Sequence, residues 1–206
     1  GERVFAQLRQ YDPVARGPFL LGCVLVDVHG FSDIDRRVTH FVGRLHEDGE
    51  DAFRKSCGNF LEQLDSLLVR PWPKLEQCER AFVAGYLCHL AVDEVSKRST
   101  YEIMQKLGIS SLTDLPVPGG ILLGAFAALT RELHGGFSTI TLALEDVSIP
   151  HVLTHVRRED FQVMWEIAKG WLVNGCPHGL YIEMLRRMGK TEVQIEAARR
   201  EREAHW

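Results

Sequence analysis

The chain has 206 residues, of which 45% are hydrophobic and 25% are charged, and its formal net charge at pH 7 is −4. These proportions exclude a disordered or fibrous protein and predict one globular domain over residues 1–206, with a charged C-terminal helix over 190–206. The small negative charge argues against binding to duplex nucleic acid, because such an interface needs a surplus of basic side chains.

The cysteines predict a reducing compartment. Their number is odd, none belongs to a C-x-x-C pair and several lie in apolar runs, so we expect free thiols and a cytoplasmic protein. The uncharged stretches 81–92 and 117–130 are too short to span a bilayer, which predicts no transmembrane segment. Because the chain begins with Gly1 instead of Met, we expect its natural N-terminus to lie upstream. The cysteines are Cys23, Cys57, Cys78, Cys88 and Cys176.

Apolar side chains at steps of three and four predict helices over 2–11 and 51–69. A longer helix begins near Lys74 and carries polar side chains on the same stripe as apolar ones. Since residues 81–92 are apolar on the other faces too, we expect protein to surround this helix. Segment 23–28 (CVLVDV) fits either a helix or a buried strand. The stripe consists of Leu75, Cys78, Phe82, Tyr86, His89 and Asp93.

The second half of the chain is also mainly helical in pattern. After a run of prolines and glycines, a helix is predicted over 121–133. Residues 137–144 (FSTITLAL) form the one segment with strand character. The predicted fold is therefore all-α. Later helices are predicted over 158–173 and 178–188, and a capping box of Thr191 and Gln194 begins the last one.

Three polar side chains lie in apolar surroundings, where an unpaired charge is costly. Asp27 is the only charged residue within 19–28, and His89 and Asp93 lie one turn apart on the long apolar helix. An i, i+4 pair of this kind directs two metal-binding atoms at one point, although the two side chains can equally hydrogen-bond to each other. The pattern predicts either a metal site or a self-satisfied polar pair.

Three sequence motifs in the first half of the chain contain these polar residues. They are FLLG (19–22) followed by Asp27, then Thr39-His40-Phe41, then Gly85-Tyr86-Leu-Cys-His89-Leu-Ala-Val-Asp93. Their order resembles the zinc-dependent phospholipase C family, which is related to the fungal zinc-dependent single-strand nucleases. The resemblance implies a helical domain of that type with a zinc site. Two histidines and two carboxylates also suit iron or manganese, which is the alternative. The implied metal ligands are Asp27, His40, His89 and Asp93.

The chain departs from that family in three places. Val26 stands where the family has proline, and Ser99 stands where relatives have a further histidine. Residues 1–22 contain no histidine or cysteine that could supply an N-terminal ligand. These differences argue against the multi-zinc cluster of the family.

Two later histidines are candidates for replacement ligands. Pro150 is expected to open a helix on which His151 and His155 lie one turn apart and form a metal-binding edge, or else face solvent. We expect the remaining histidines in solvent. His29 is the first exception to consider, because it lies two residues from Asp27.

The resemblance implies a metal-dependent hydrolase of a phosphodiester, such as a lipid head group or a nucleotide, in which Asp27 or Asp93 orients an activated water. Arg37, next to Arg36, and Tyr86 are candidate substrate-binding residues, unless they are only solvated or packed. The alternatives are an oxidative iron or manganese enzyme and a non-enzymatic helical protein with a structural metal. The chain lacks G-x-S-x-G, H-E-x-x-H and P-loop motifs, which argues against other enzyme classes.

Overall fold

The structure of the protein is a computed structural model that describes residues 12–42, 55–106, 108, 143–144, 147–174, 182, 186 and 191–205. Within these residues regular structure is helical, and the only β-pairing is an isolated antiparallel bridge between Leu68 and Leu153. The fold is all-α, which confirms the prediction. No helix in this part of the chain is long and apolar enough to cross a membrane.

The described residues form six α-helices and three 3-10 helices. The α-helices are α1 (Arg16–Leu25), α2 (Arg36–His40), α3 (Ser56–Leu67), α4 (Gln77–Lys106), α5 (Arg158–Asn174) and α6 (Glu192–His205). The 3-10 helices are Pro13–Ala15, Val26–Gly30 and Trp72–Lys74.

The predicted helices are confirmed where the structure describes them. Helix α3 lies inside the predicted range 51–69, α4 carries most of the predicted stripe, and α5 matches 158–173 to within one residue. The capping box of α6 is present: the Thr191 N–H donates to Gln194 Oε1 at 3.0 Å, and the Gln194 N–H donates to Thr191 Oγ1 at 3.3 Å.

The structure resolves two further predictions, on segments 23–28 and 137–144, and the remaining predicted helices lie outside the described residues. The ambiguous segment 23–28 is helical, because α1 continues directly into the 3-10 helix Val26–Gly30. Of the predicted strand 137–144, only Ala143 and Leu144 are described, and both are helical, so the strand prediction is wrong there. The predicted helices 2–11 and 121–133, and all of 178–188 except residues 182 and 186, lie outside the described part.

The segment that precedes α5 is extended and not helical, so the helix predicted to open at Pro150 is wrong. The Val69 N–H donates to the Val152 carbonyl at 3.1 Å, and the Thr154 N–H donates to the Leu67 carbonyl at 2.8 Å. These bonds hold the segment against the end of α3. They use backbone groups that a helix would need, and α5 begins only at Arg158.

Helices α1 and α4 cross in close contact through two glycines. A Cβ atom on Gly85 would collide with the Phe19 carbonyl oxygen, and a Cβ on Gly22 would collide with the Phe82 carbonyl oxygen. The missing side chains therefore allow the two backbones to touch. Around this crossing lie fully buried apolar side chains, among them Phe19, Leu21, Phe82, Tyr86 and Leu90.

The sequence predicted that protein surrounds the whole of residues 81–92, and this is wrong. The apolar helix is buried at Ala81, Phe82 and Leu90, but Val92 is 57% exposed. The crossing with α1 covers only the first turns of α4. Beyond Leu90 the helix extends past the core.

Replacing Gly85 with alanine tests the close crossing. We expect Gly85→Ala to lower the free energy of unfolding by about 1–3 kcal/mol, because the new methyl group must push α1 away from α4. Gly170→Ala is the matched control, since no described atom lies within 4 Å of a Cβ there. That change removes a helical glycine and should add about 0.5–1 kcal/mol. Urea unfolding measures both, and equal effects would contradict the crossing.

Candidate metal centre

Three side chains from distant parts of the sequence bring metal-binding atoms together. One ligand atom each of Asp27, His40 and His89 lies within 4.8 Å of the other two. Asp27 Oδ1 is 3.2 Å from His40 Nε2 and 3.7 Å from His89 Nε2. Separations of this size suit atoms that bind one ion at about 2.0–2.2 Å each.

Each ligand is placed by the end or the middle of a helix. Asp27 lies on the 3-10 helix that follows α1, and His89 lies one turn beyond the glycine crossing on α4. His40 is the last residue of α2, which Asp35 caps by accepting the Arg37 N–H at 2.8 Å. Phe41 adopts a left-handed conformation, with φ of 54°, and ends the helix.

Hydrogen bonds fix the tautomers of both imidazoles. The carbonyl of Cys23 lies 2.8 Å from His89 Nδ1 and can only accept, so Nδ1 carries the proton. The Thr39 hydroxyl lies 3.2 Å from the Arg36 carbonyl, and when it donates its proton there its oxygen accepts from His40 Nδ1 at 2.9 Å. In both neutral rings the Nε2 atom therefore presents a lone pair.

The three converging atoms are all hydrogen-bond acceptors in these tautomers, so no hydrogen bond joins them. Both Nε2 atoms are buried and have no hydrogen-bond partner within the described structure, although each faces Asp27 Oδ1. Two lone pairs and a carboxylate oxygen directed at one point repel each other unless a cation lies between them. The residues present therefore fit a bound metal ion.

Asp93 borders this group from α4. Its Oδ2 atom is 3.7 Å from His40 Nε2, and its Oδ1 atom is 3.9 Å from His89 Nε2. Arg36 Nη2 lies 2.7 Å from the same Oδ2. Of the four residues that the resemblance implied as ligands, Asp27, His40 and His89 form the converging group, and Asp93 lies outside it beside both imidazoles, paired with Arg36.

The pKa values favour the protonation states that a metal requires. Burial lowers the pKa of His40, Asp27 opposes this, and Arg36 adds to the lowering, so the ring is neutral at pH 7. Burial raises the pKa of Asp27, but its contact with His40 and the neighbouring His89 and His29 side chains outweigh this and hold it below its usual range. A carboxylate and a neutral imidazole are the forms that bind a metal.

Two of the predicted substrate-binding residues have other contacts. The Arg37 Nε donates to Asp35 Oδ2 at 2.8 Å. Tyr86 is fully buried, and its hydroxyl donates to the Thr39 carbonyl at 2.5 Å. Tyr86 therefore supports the backbone beside His40, while Arg36 takes the position near the ligands that we had expected for Arg37.

His151 and His155 do not join the group. His151 is exposed. His155 packs its ring edge-on against Phe41 and Tyr86, and its Nε2 atom lies 3.2 Å from the Tyr86 hydroxyl. Because the tyrosine proton goes to Thr39, His155 Nε2 donates to the tyrosine oxygen. The extended backbone of 149–157 separates the two histidines that a helix would have stacked.

Sequence reasoning named His29 as the first exception among the histidines expected in solvent, and the structure confirms that exception. Its side chain is 18% exposed, its Nδ1 atom is buried, and that atom lies 4.0 Å from Asp27 Oδ1. The spacing of two residues from Asp27 was a signal, but only the 3-10 helix Val26–Gly30 turns both side chains to the same side.

Comparisons with protein-family models, curated proteins and solved structures give no match for this chain. The candidate metal centre is therefore defined by its own geometry.

Removing one ligand tests the metal centre. Wild-type protein should retain about one divalent ion per chain after desalting, and zinc should raise its melting temperature. His89→Ala should lose both effects, because one of the three converging atoms is gone. His151→Ala, at an exposed histidine, should keep both. Elemental analysis and thermal unfolding measure these outcomes, and a His89→Ala protein with unchanged metal content would contradict the site.

The buried His155 predicts an acid-sensitive fold. Burial lowers its pKa from 6.5 to about 4, so between these values the unfolded chain binds more protons than the folded one. Stability should be complete above pH 6.5 and fall toward pH 4. His155→Gln, whose amide nitrogen can replace Nε2, should flatten this fall in metal-free protein, whereas His151→Gln should not. Urea unfolding between pH 7 and 4 measures the slopes, and parallel curves would contradict the assignment.

Proposed function

We propose that the protein is a metal-dependent hydrolase of phosphodiesters, built on a single helical domain of the zinc-dependent phospholipase C type. The observation that carries the proposal is the convergence of two bare imidazole nitrogens, from His40 and His89, on the Asp27 carboxylate. The resemblance implies these ligands in this chain order, and their meeting in space supports it. Because a helical fold alone does not determine the reaction, the proposed reaction is inferred from the geometry of the site.

Exposure at the site favours a catalytic metal over a structural one. The His40 side chain is fully buried, whereas the Asp27 side chain is 50% exposed and the Asp93 side chain 25% exposed. The imidazoles thus form the floor and the carboxylates form a rim that solvent reaches. A catalytic zinc site keeps such an open position for water, while a structural site closes it with a fourth protein ligand.

Asp27, His40 and His89 would hold the zinc ion, which would supply an activated water near neutral pH and a Lewis acid for a phosphoryl oxygen. The Asp27 and Asp93 carboxylates lie at the rim, where they accept hydrogen bonds from the attacking water and orient it. The Cys23 carbonyl and the Thr39 hydroxyl hold the ring planes of His89 and His40 in place.

Arg36 supports an anionic substrate. Its guanidinium lies 2.7 Å from Asp93 Oδ2, and its side chain is 38% exposed. A phosphodiester carries a negative charge, and a planar guanidinium binds two phosphate oxygens at once. We therefore assign substrate anchoring to Arg36, because its partner Asp93 borders the ligand group, whereas Arg37 pairs with Asp35.

The thiols support a reducing environment. The cysteines of the described part of the chain are free. Free thiols persist in the cytoplasm, where disulfides are rare. We extend the proposal to a cytoplasmic enzyme that acts on a small-molecule or lipid phosphodiester and not on duplex nucleic acid.

The decisive assay uses bis(p-nitrophenyl) phosphate as a generic phosphodiester. Wild-type protein loaded with zinc should release p-nitrophenol, His89→Ala should not, and His151→Ala should match the wild type. Stoichiometric iron in protein purified without added metal, with oxygen consumption, would favour the oxidative alternative. A metal that raises the melting temperature without any turnover would favour the structural alternative. Either result overturns the proposal.

Neutralising Arg36 should change substrate and metal binding in opposite directions. Arg36→Met should raise KM and lower kcat/KM by roughly 10–100-fold, because a charge-assisted contact worth about 1.5–3 kcal/mol is lost. The same change should tighten zinc binding, because Asp93 is released and a positive charge is removed. Chelator competition measures the zinc affinity.

Arg37→Met provides the matched control for this prediction. It removes the same type of side chain from the next residue, where the guanidinium is held by Asp35. We expect its kcat/KM to stay within about threefold of the wild type, in line with an exposed ion pair. If Arg37→Met were the more damaging change, the anchoring residue would be Arg37, as the sequence had predicted.

A further inference from the structure

His29 has a buried ring nitrogen without a protein partner. Its Nδ1 atom forms no hydrogen bond with any described residue and lies 4.0 Å from Asp27 Oδ1. The ring packs edge-on against the ring of His40, with 4.9 Å between centroids. A buried polar atom left unpaired destabilises the fold, so this nitrogen requires a partner.

The surroundings of His29 indicate what that partner is. Among the described residues, four imidazole nitrogens are buried without a partner, and they belong to His29, His40, His89 and His155. The nitrogens of His29, His40 and His89 all lie within 4.0 Å of Asp27 Oδ1, whereas His155 packs against aromatic rings. A bare imidazole nitrogen beside a carboxylate oxygen is a pair of cation ligands.

The nitrogen of His29 lies outside the group formed by the other two. The group whose atoms all lie within 4.8 Å of one another contains Asp27, His40 and His89, and His29 is not part of it. His29 Nδ1 is therefore too far from at least one of these ligand atoms to share a single ion with all three. A carboxylate can bridge two ions about 3.5–4 Å apart, as in other two-metal hydrolytic sites.

We propose that His29 Nδ1 and the Asp27 carboxylate form a second position for a divalent transition-metal ion, next to the ion held by Asp27, His40 and His89. With only two protein ligands, this position binds more weakly than the first and completes its coordination with water or with an anionic oxygen of the substrate. The inference rests on the proposed metal-dependent function, because Asp27 is shared between the two ions.

The test is a cobalt(II) titration of metal-free full-length protein, followed by visible absorption and by equilibrium dialysis. Wild-type protein should bind one ion tightly and a second at least about tenfold more weakly, with a distinct spectral change for each. His29→Gln, which keeps most of the side-chain volume, should lose the second phase and retain the first. His29→Ala should do the same, and His151→Gln should retain both phases.

The possible outcomes separate this inference from the proposed function. If wild-type protein binds no ion, the metal-dependent function fails. If it binds one ion and both His29 variants bind that ion equally well, the second position is overturned and the function stands. If the His29 variants lose the tight phase while their metal-free melting temperature is unchanged, His29 belongs to the first ion, which also overturns the second position. Loss of the weak phase alone supports the inference.

Discussion

The close contact of α1 and α4 at Gly22 and Gly85 is the constraint on which the site depends. Because the two backbones touch there, the Cys23 carbonyl reaches the His89 ring one turn further along α4. The same contact directs the chain leaving α1 so that Asp27 faces that ring. A wider crossing would separate the carboxylate from the imidazole, and no later element could bring them back together.

Electrostatics then determine what this geometry can do. Two hydrogen bonds hold the Nδ1 protons of His40 and His89 on the far side of each ring, so the lone pairs face a carboxylate. Such an arrangement is unfavourable by itself and becomes favourable around a cation. Without a metal ion the two imidazole nitrogens and the Asp27 carboxylate repel each other, and a bound cation removes this repulsion. The exposed rim formed by Asp27 and Asp93 makes the same ion accessible to water and to an anionic ester.

Much of this could be predicted from the sequence, because it follows from local patterns. The spacing of apolar residues predicts the helices α3, α4 and α5, and a carboxylate in an apolar segment marks Asp27 as a residue in need of a partner. His89 and Asp93 share one face of α4 because four residues make about one helical turn. The Thr191 capping box is likewise local, since its two hydrogen bonds join residues three apart.

The remaining assignments depend on side-chain contacts that the spacing of residues does not encode. Arg36 faces Asp93 whereas Arg37 pairs with Asp35, and His29 turns inward because the chain continues α1 as a 3-10 helix. The bridge between Leu68 and Leu153 keeps the 149–157 segment extended. The sequence by itself therefore determined the helices and the polar residues they must bury. Only the tertiary structure decided which atoms meet, because that depends on how closely the helices cross.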